Sequence, residues 1–328
     1  MNIPMLLILL NPDTYLWIMA GAACFVSLVL LLIRHFTRRR WLRRVWLLLV
    51  LALWLLLIDG IFITPRQLTV RHEEFVSADL PEAFDGYRIL HFSDAHVASY
   101  TGWRQPLLER AIDSIIAQQA DLIVFTGDLQ NKLPDDITPY VEQLSRLKAR
   151  DSVFAVLGNH DYPMYVDCDP YTKMDLLETT TSLESKMGWC LLSNHHRIIR
   201  RGNDSIVIAG MENDGEGRFP QLGNINHALY GLSRQTFIVM LEHDPTAWRR
   251  KILPECHLQL TLSGHTHGGQ LSLLGLTPAA FNYKEHSGMY HIGERAMNVS
   301  TGLSGVVPFR VGVRPEIVVI TLKRKKSQ

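Results

Sequence analysis

The four cysteines of this 328-residue chain, Cys24, Cys168, Cys190 and Cys256, are scattered, and no two form a C-x-x-C pair. That excludes a zinc ribbon and a disulfide framework, and it leaves the redox compartment open. Surplus charge is also lacking: 33 basic residues face 32 acidic ones, for a net charge of +1. Six arginines between positions 34 and 44, less Asp13, contribute +5 to that net, so residues 45 to 328 sit near −4. Such a surface has no electrostatic hold on nucleic acid. Positive charge is missing again from residues 1 to 15, which carry only Asp13, where a cleaved signal peptide would need it. A retained anchor is the expectation. There are no internal repeats or low-complexity segments, so one domain accounts for roughly residues 67 to 323.

Apolar length is present instead. The hydrophobic share of 47% is concentrated before residue 64. Residues 15 to 33 carry no charge, and residues 45 to 58 are almost purely Leu, Val, Ala, Ile and Trp, running on past Asp59 to Ile63. Each stretch is about 19 residues, enough to cross a bilayer. A core helix of a soluble protein would show a polar stripe, and neither stretch does. Between them Arg34, Arg38, Arg39, Arg40, Arg43 and Arg44 crowd one short loop, a composition that stays cytoplasmic and contacts anionic lipid. Residues 1–63 are therefore expected to form a transmembrane hairpin with both ends outside the cytoplasm. Residues 64–85 would be a connector with one strand near 67–72, and residues 86–328 an extracytoplasmic domain.

Short apolar runs then recur at 88–92, 122–125, 153–157, 206–209, 237–241 and 258–262. They read as buried strands, and helical patterns at 106–119 and 139–148 separate some of them, so the fold class is α/β with layered sheets. Polar residues gather where the runs stop: Ser93-Asp94-Ala95-His96, Thr126-Gly127-Asp128, Gly158-Asn159-His160-Asp161, Glu242-His243-Asp244 and Gly264-His265-Thr266-His267. In α/β sheets ligands collect at the carboxyl ends of strands, so five such endings can converge on one site. Singly, each residue has an ordinary explanation: Asp94 or Asp128 as a helix cap, Asn159 in an Asx-turn, His243 as a buried and satisfied histidine. Capping does not call for histidine, however, and His96, His160, His243, His265 and His267 all follow strands. Carboxylate, carboxamide and imidazole without thiolate suit Mn, Fe or Zn, and argue against a structural zinc knot.

The order D-x-H, G-D, G-N-H-D, a lone later His and G-H-x-H resembles that of the calcineurin-like metallophosphoesterase superfamily, over the whole part after the hairpin. More narrowly, residues 264–270, the Asn298-Val299-Ser300-Thr301-Gly302-Leu303 turn and Arg314-Pro315-Glu316-Ile317 resemble its membrane-associated bacterial subgroup, including UDP-2,3-diacylglucosamine pyrophosphatase-like members of lipid A synthesis. The resemblance implies an α/β/β/α sandwich behind the hairpin and two divalent metal ions. Asp94, His96, Asp128 and His267 would hold one ion, and Asp128, Asn159, His243 and His265 the other, with Asp128 bridging. It further implies in-line attack by a metal-bridging hydroxide on phosphorus. His160 would be the proton or oxyanion donor, and Asp161 would hold its ring in the protonated tautomer. The expected substrate is a phosphoester or pyrophosphate, lipid- or nucleotide-linked, at a bacterial inner membrane. A metal-binding scaffold or sensor without turnover is the alternative, and it would usually lack a ligand, which this chain does not. A UDP-linked lipid precursor is made on the cytoplasmic face, in conflict with the arginine loop. Residues 99–104 and 162–171 are read as rims of the cleft, Arg310 as a phosphate partner or a surface ion pair, and residues 210–217 as a solvated acidic turn.

Overall fold

The computed structural model describes residues 11–325; the first ten residues of the expected hairpin and the last three of the expected domain lie outside the described residues. The two apolar runs form helices α1 (Pro12–Phe36) and α2 (Arg40–Ile58), the second continued by a π turn at Asp59–Ile63. The Asn11 side chain caps α1 by accepting the Asp13 amide N–H at 2.9 Å, with Pro12 preset for the first turn. Both helices are long and apolar enough to cross a membrane, and only 11% and 17% of their apolar windows are buried within the protein. A core helix would bury most of that surface. Trp17, Phe25, Leu48 and Leu55 instead stand more than half exposed. The pair is held together by Ala23, Leu57 and Ile61, and by the Trp54 indole N–H donating to Ser27 Oγ at 3.0 Å.

Two six-stranded sheets follow. The first runs β1 (Thr69–Ser77), β12 (Glu316–Arg324), β2 (Arg88–Phe92), β3 (Leu122–Phe125), β4 (Val153–Ala155), β5 (Cys190–Leu191). The second runs β10 (Gly288–Ile292), β11 (Arg295–Val299), β9 (Leu260–Ser263), β8 (Ile238–Leu241), β7 (Asp204–Gly210), β6 (His195–Arg201). Alternate side chains of β2 and β3 enter different cores. Ile89 and Val124 meet Val239 and Leu260 between the sheets, while Leu90, Phe92, Ile123 and Phe125 pack outward on Leu108, Ile112 and Ile115 of helix α3 (Gln105–Ala117). Burial on both faces is why these strands read as unbroken apolar runs. A third cluster around Met240, Trp248 and Met297 covers the far face of the second sheet, so the layers are α/β/β/α.

The expected connector supplies β1, an edge strand parallel to β12 from Thr69 to Ser77. Residues 139–148 do not form the single helix their pattern suggests. Thr138–Tyr140 is a 3₁₀ turn and α4 (Val141–Leu144) is one turn long, after which the chain leaves the helix in turns at Ser145 and Arg146. Within the sheets β2, β3 and β4 are parallel, as are β7, β8 and β9, so each sheet delivers its strand ends on one side.

Candidate metal centre

The loops at these strand ends hold backbone that L-residues avoid. Asp94, His96, Asp128, His265 and His267 have φ between +42° and +68°, and they are five of the ten non-glycine residues with positive φ among the described residues. Left-handed backbone costs roughly 1–2 kcal/mol per residue and persists where surrounding contacts over-determine it. Those contacts are visible. The Asp94 N–H donates to Gly127 O at 2.9 Å and the His96 N–H to Asp128 O at 3.1 Å, which stitches the first two endings together. The Asp94 carboxylate accepts the His265 N–H at 3.1 Å, and Asp128 Oδ1 accepts the His160 N–H at 2.7 Å. Gly264 permits the closest approach: a Cβ there would lie 1.9 Å from Ser93 Oγ and 2.3 Å from Asp94 Oδ2.

Two groups of donor atoms result. Asp94, His96, Asp128 and His267 offer atoms within 4.8 Å of one another, and so do Asp128, His243 and His265. Asp128 is common to both, its Oδ2 lying 3.6 Å from His96 Nε2 and 3.3 Å from His243 Nε2. Asn159 is buried beside them, with Nδ2 donating to the Tyr165 hydroxyl at 2.8 Å and Oδ1 unpartnered. His96 is wholly buried and neither of its ring nitrogens has a partner. Buried polar atoms are normally satisfied, so these orphans fit electron-pair donors to a cation, and an all-oxygen-and-imidazole set suits a divalent one.

Carbonyls aim the other rings. The His243 Nδ1–H donates to Thr126 O at 2.6 Å and the His267 Nδ1–H to Ser304 O at 2.8 Å, which turns each Nε2 toward the site. His265 Nε2 meets the Tyr283 hydroxyl at 2.8 Å. Burial, then the neighbouring His160 ring, drives His96 well below the usual imidazole range. Burial also lowers His265 and brings His267 down to about 4. These rings are neutral at pH 7, the form that ligates metal. For His243 burial opposes the charge, but the Asp128 carboxylate outweighs it and lifts the pKa to about 10, so a cation binding at its Nε2 would displace a proton there.

His160 lies against this cluster, edge-on to His96 with ring centroids 4.9 Å apart and stacked on Tyr165 at 4.4 Å. Its expected partner is wrong. The His160 Nδ1–H donates to Asn131 O at 2.7 Å, whereas Asp161 accepts the amide N–H groups of Asp128, Leu129, Gln130 and Gly158 at 2.7–3.2 Å. Four converging amides hold a buried carboxylate better than one imidazole, so Asp161 locks the loop that carries Asp128. Arg310 is neither a surface pair nor open to substrate. It is 2% exposed and its Nη2 donates to Thr301 O and Ser304 O, supporting the carbonyl that orients His267. Residues 210–217 are not a solvated turn, since Asp214 is buried and paired with Arg250 at 2.6 Å and Lys251 at 2.5 Å. Trp103 turns to the hairpin, its ring tilted against Phe62 with centroids 5.3 Å apart and under the Arg66 guanidinium. Asn131, Tyr283 and Ser304 lie outside any motif, and nothing local announces them. Tyr165 falls in the tyrosine-rich stretch expected to rim the cleft.

Residues 87–269 match the calcineurin-like phosphoesterase family, a stretch that contains all seven candidate ligands. A Bacillus subtilis protein, "Uncharacterized metallophosphoesterase YkuE", is 30% identical over 274 residues, covering 80% of this chain and 88% of that protein. A Danio rerio "Transmembrane protein with metallophosphoesterase domain" is 31% identical over 255 residues, 75% of this chain but 55% of that relative, so the chain spans about half its length. The "Phosphodiesterase YaeI" of Escherichia coli is 27% identical over 242 residues, 72% of this chain and 82% of that protein.

Proposed function

This chain belongs to the calcineurin-like phosphoesterase family and is a hydrolase, and from that premise we propose a two-metal phosphodiesterase anchored in a membrane and acting on a lipid-borne phosphoester. The observation that carries the reading is the shared carboxylate. Asp128 belongs to both donor groups, and a carboxylate can serve two ions where a neutral imidazole gives one nitrogen to one. Asp94, His96, Asp128 and His267 would hold one ion, and Asp128, Asn159, His243 and His265 the other, with Mn, Fe or Zn suited to the set. A divalent pair held by these residues would supply a water acidified for attack and positive charge beside the phosphoryl oxygens.

The remaining work falls to this chain's own residues. The Thr126 and Ser304 carbonyls hold His243 and His267 in the tautomer that presents Nε2. Asp161 keeps the Asp128 loop in its left-handed turn. His160 has its Nδ1–H committed to Asn131 O, so Nε2 is the atom offered to substrate. Doubly protonated, it can give the Nε2 proton to the leaving oxygen, and the Asn131 carbonyl and Tyr165 ring hold it in place.

Two exposed apolar helices and relatives named as transmembrane proteins associate the chain with a membrane. The finer reading is that both helices span a bacterial inner membrane with the arginine loop inside, which leaves the hydrolase outside the cytoplasm. A phosphodiester on a lipid headgroup is accessible from that side, and the name of the Escherichia coli relative supports a diester. UDP-2,3-diacylglucosamine would take its place if the domain faced inward. To test hydrolysis, the full chain in detergent is stripped of metal and reloaded with Mn, Fe or Zn. It should release nitrophenol from bis(p-nitrophenyl) phosphate only when reloaded. Two bound ions per chain with no release from any aryl phosphoester would favour the scaffold or sensor instead.

A further inference from the structure

Downstream of His267 the chain builds a surface with no use inside the domain. From Gly268 to Tyr283 no residue is charged, and Leu273, Leu274, Leu276 and Phe281 are exposed to 48%, 103%, 78% and 90%. Solitary exposed apolar residues are ordinary, but a cluster of them in one uncharged loop marks an interaction surface. The backbone adds a second, independent sign. Leu273 and Leu276 exchange both N–H···O bonds at 3.0 Å, closing a two-residue turn whose central residues, Leu274 and Gly275, have φ of +53° and +82°. A hairpin turn with two positive φ values favours Asn, Asp or Gly at its first position. Leucine is locally disfavoured there, and its side chain touches almost nothing.

Its place in the fold identifies what it meets. Leu271 bridges to Val311, and the Ser272 N–H donates to Val311 O at 2.8 Å. The neighbouring Arg310 N–H donates to Gly60 O at 3.0 Å, at the end of the second apolar helix. The Phe309 ring fills the space beside Gly60, where a Cβ would fall 2.1 Å from it. Leu274 is three residues beyond Leu271, a reach of about 10 Å. A bilayer headgroup layer is roughly 5–8 Å thick, so such a tip can pass through it. At its base the same loop is tied to the metal centre: Thr277 Oγ1–H donates to Gly268 O at 2.7 Å, and the Tyr283 hydroxyl meets His265.

We propose that the turn at residues 273–276, with Phe281, is a lipid-inserting tip that seats in the acyl layer of the bilayer the hairpin crosses and holds the metal centre against the membrane surface. The occupant is acyl chain because the loop is uncharged, apolar and continuous with the end of the hairpin. The inference rests on the membrane anchoring proposed above.

Depth measurements separate the two. In the full chain with the other native cysteines replaced by Ala, an environment-sensitive fluorophore is placed either on Cys24, near the middle of α1, or on Leu274→Cys. Each protein is reconstituted in phosphatidylcholine–phosphatidylglycerol vesicles with and without lipids carrying a nitroxide on the acyl chain. Leu274 is fully exposed, so its replacement does not threaten folding. Both labels should show blue-shifted emission and lose intensity to the nitroxide. Quenching at Cys24 with water-like, unquenched emission at position 274 overturns the tip and leaves the anchor standing. Blue-shifted but unquenched emission at 274 places the turn against protein, a second copy included, and also overturns it. An unquenched Cys24 overturns the anchoring, and the tip with it.

Discussion

Replacing Asp128 by Asn asks whether one carboxylate serves two ions. The exchange preserves shape: the amide oxygen can still accept the His160 N–H that Oδ1 accepts at 2.7 Å, so the loop should stay folded. The position of Oδ2, 3.6 Å from His96 Nε2 and 3.3 Å from His243 Nε2, then becomes an NH₂ group that donates to those rings and cannot bind a cation. Losing a supporting group beside one metal costs about 10–100-fold in affinity. Asp128 is a direct donor in both groups, so the doubly loaded form should fall by at least the product, about 10²–10⁴-fold, and turnover with it. Metal content is measured after reloading and desalting, alongside hydrolysis of bis(p-nitrophenyl) phosphate. His96→Ala and His265→Ala serve as standards, because each residue belongs to one group and each variant should empty mainly one site. An Asp128→Asn protein that keeps two ions and near-normal turnover would refute the reasoning. Loss of a single ion would show that the carboxylate is not shared.

His160→Gln should retain its metal while turnover falls about 10²–10⁴-fold, less for nitrophenyl than for alkyl leaving groups. Equal losses for the two would mean that His160 only positions substrate. Glu184 is wholly buried with neither carboxyl oxygen bonded, and burial, then Asp161, pushes its pKa well above the ordinary 4.5. The folded protein thus keeps a proton that the unfolded chain releases. This carboxyl's share of stability is complete below about pH 4.5 and declines as pH rises, by up to about 1.4 kcal/mol per pH unit. Glu184→Met should therefore gain melting temperature over the parent between about pH 5 and about pH 8, and a difference that does not vary with pH would contradict the assignment. For topology, Asp135 is exposed just after β3. Asp135→Cys in an otherwise cysteine-free chain should react with an impermeant maleimide in intact cells whose outer membrane, if present, has been opened. Reaction only after inner-membrane lysis would place the domain in the cytoplasm.

Much of this was legible in local pattern. Unbroken apolar runs marked β2, β3, β8 and β9 because those strands are covered on both faces, and a covered strand leaves no alternation to misread. The same property marked α1 and α2, which are long and apolar enough to cross a membrane and are mostly unburied within the protein. The seven candidate ligands stood out because strand ends are short and their imidazoles answer no structural need. Where cooperation between distant segments decides the outcome, pattern was silent or misled. Asp161 follows His160 in the chain, yet its carboxylate belongs to amides 31 to 33 residues upstream. Arg310 looked like a phosphate partner or a surface ion pair and is buried, its guanidinium taken up by the Thr301 and Ser304 carbonyls of a neighbouring loop.

The division has a physical cause. Secondary structure, membrane-crossing length and ligand chemistry depend on residue type and spacing along the chain, which are written in the amino-acid order. Which carbonyl fixes a tautomer, which carboxylate lies between two groups of donors, and which leucine is left without a neighbour depend on segments far apart in sequence, such as Asp94 and His265, whose contact spans 171 residues. Those were settled only when the two sheets closed face to face and brought their strand ends together.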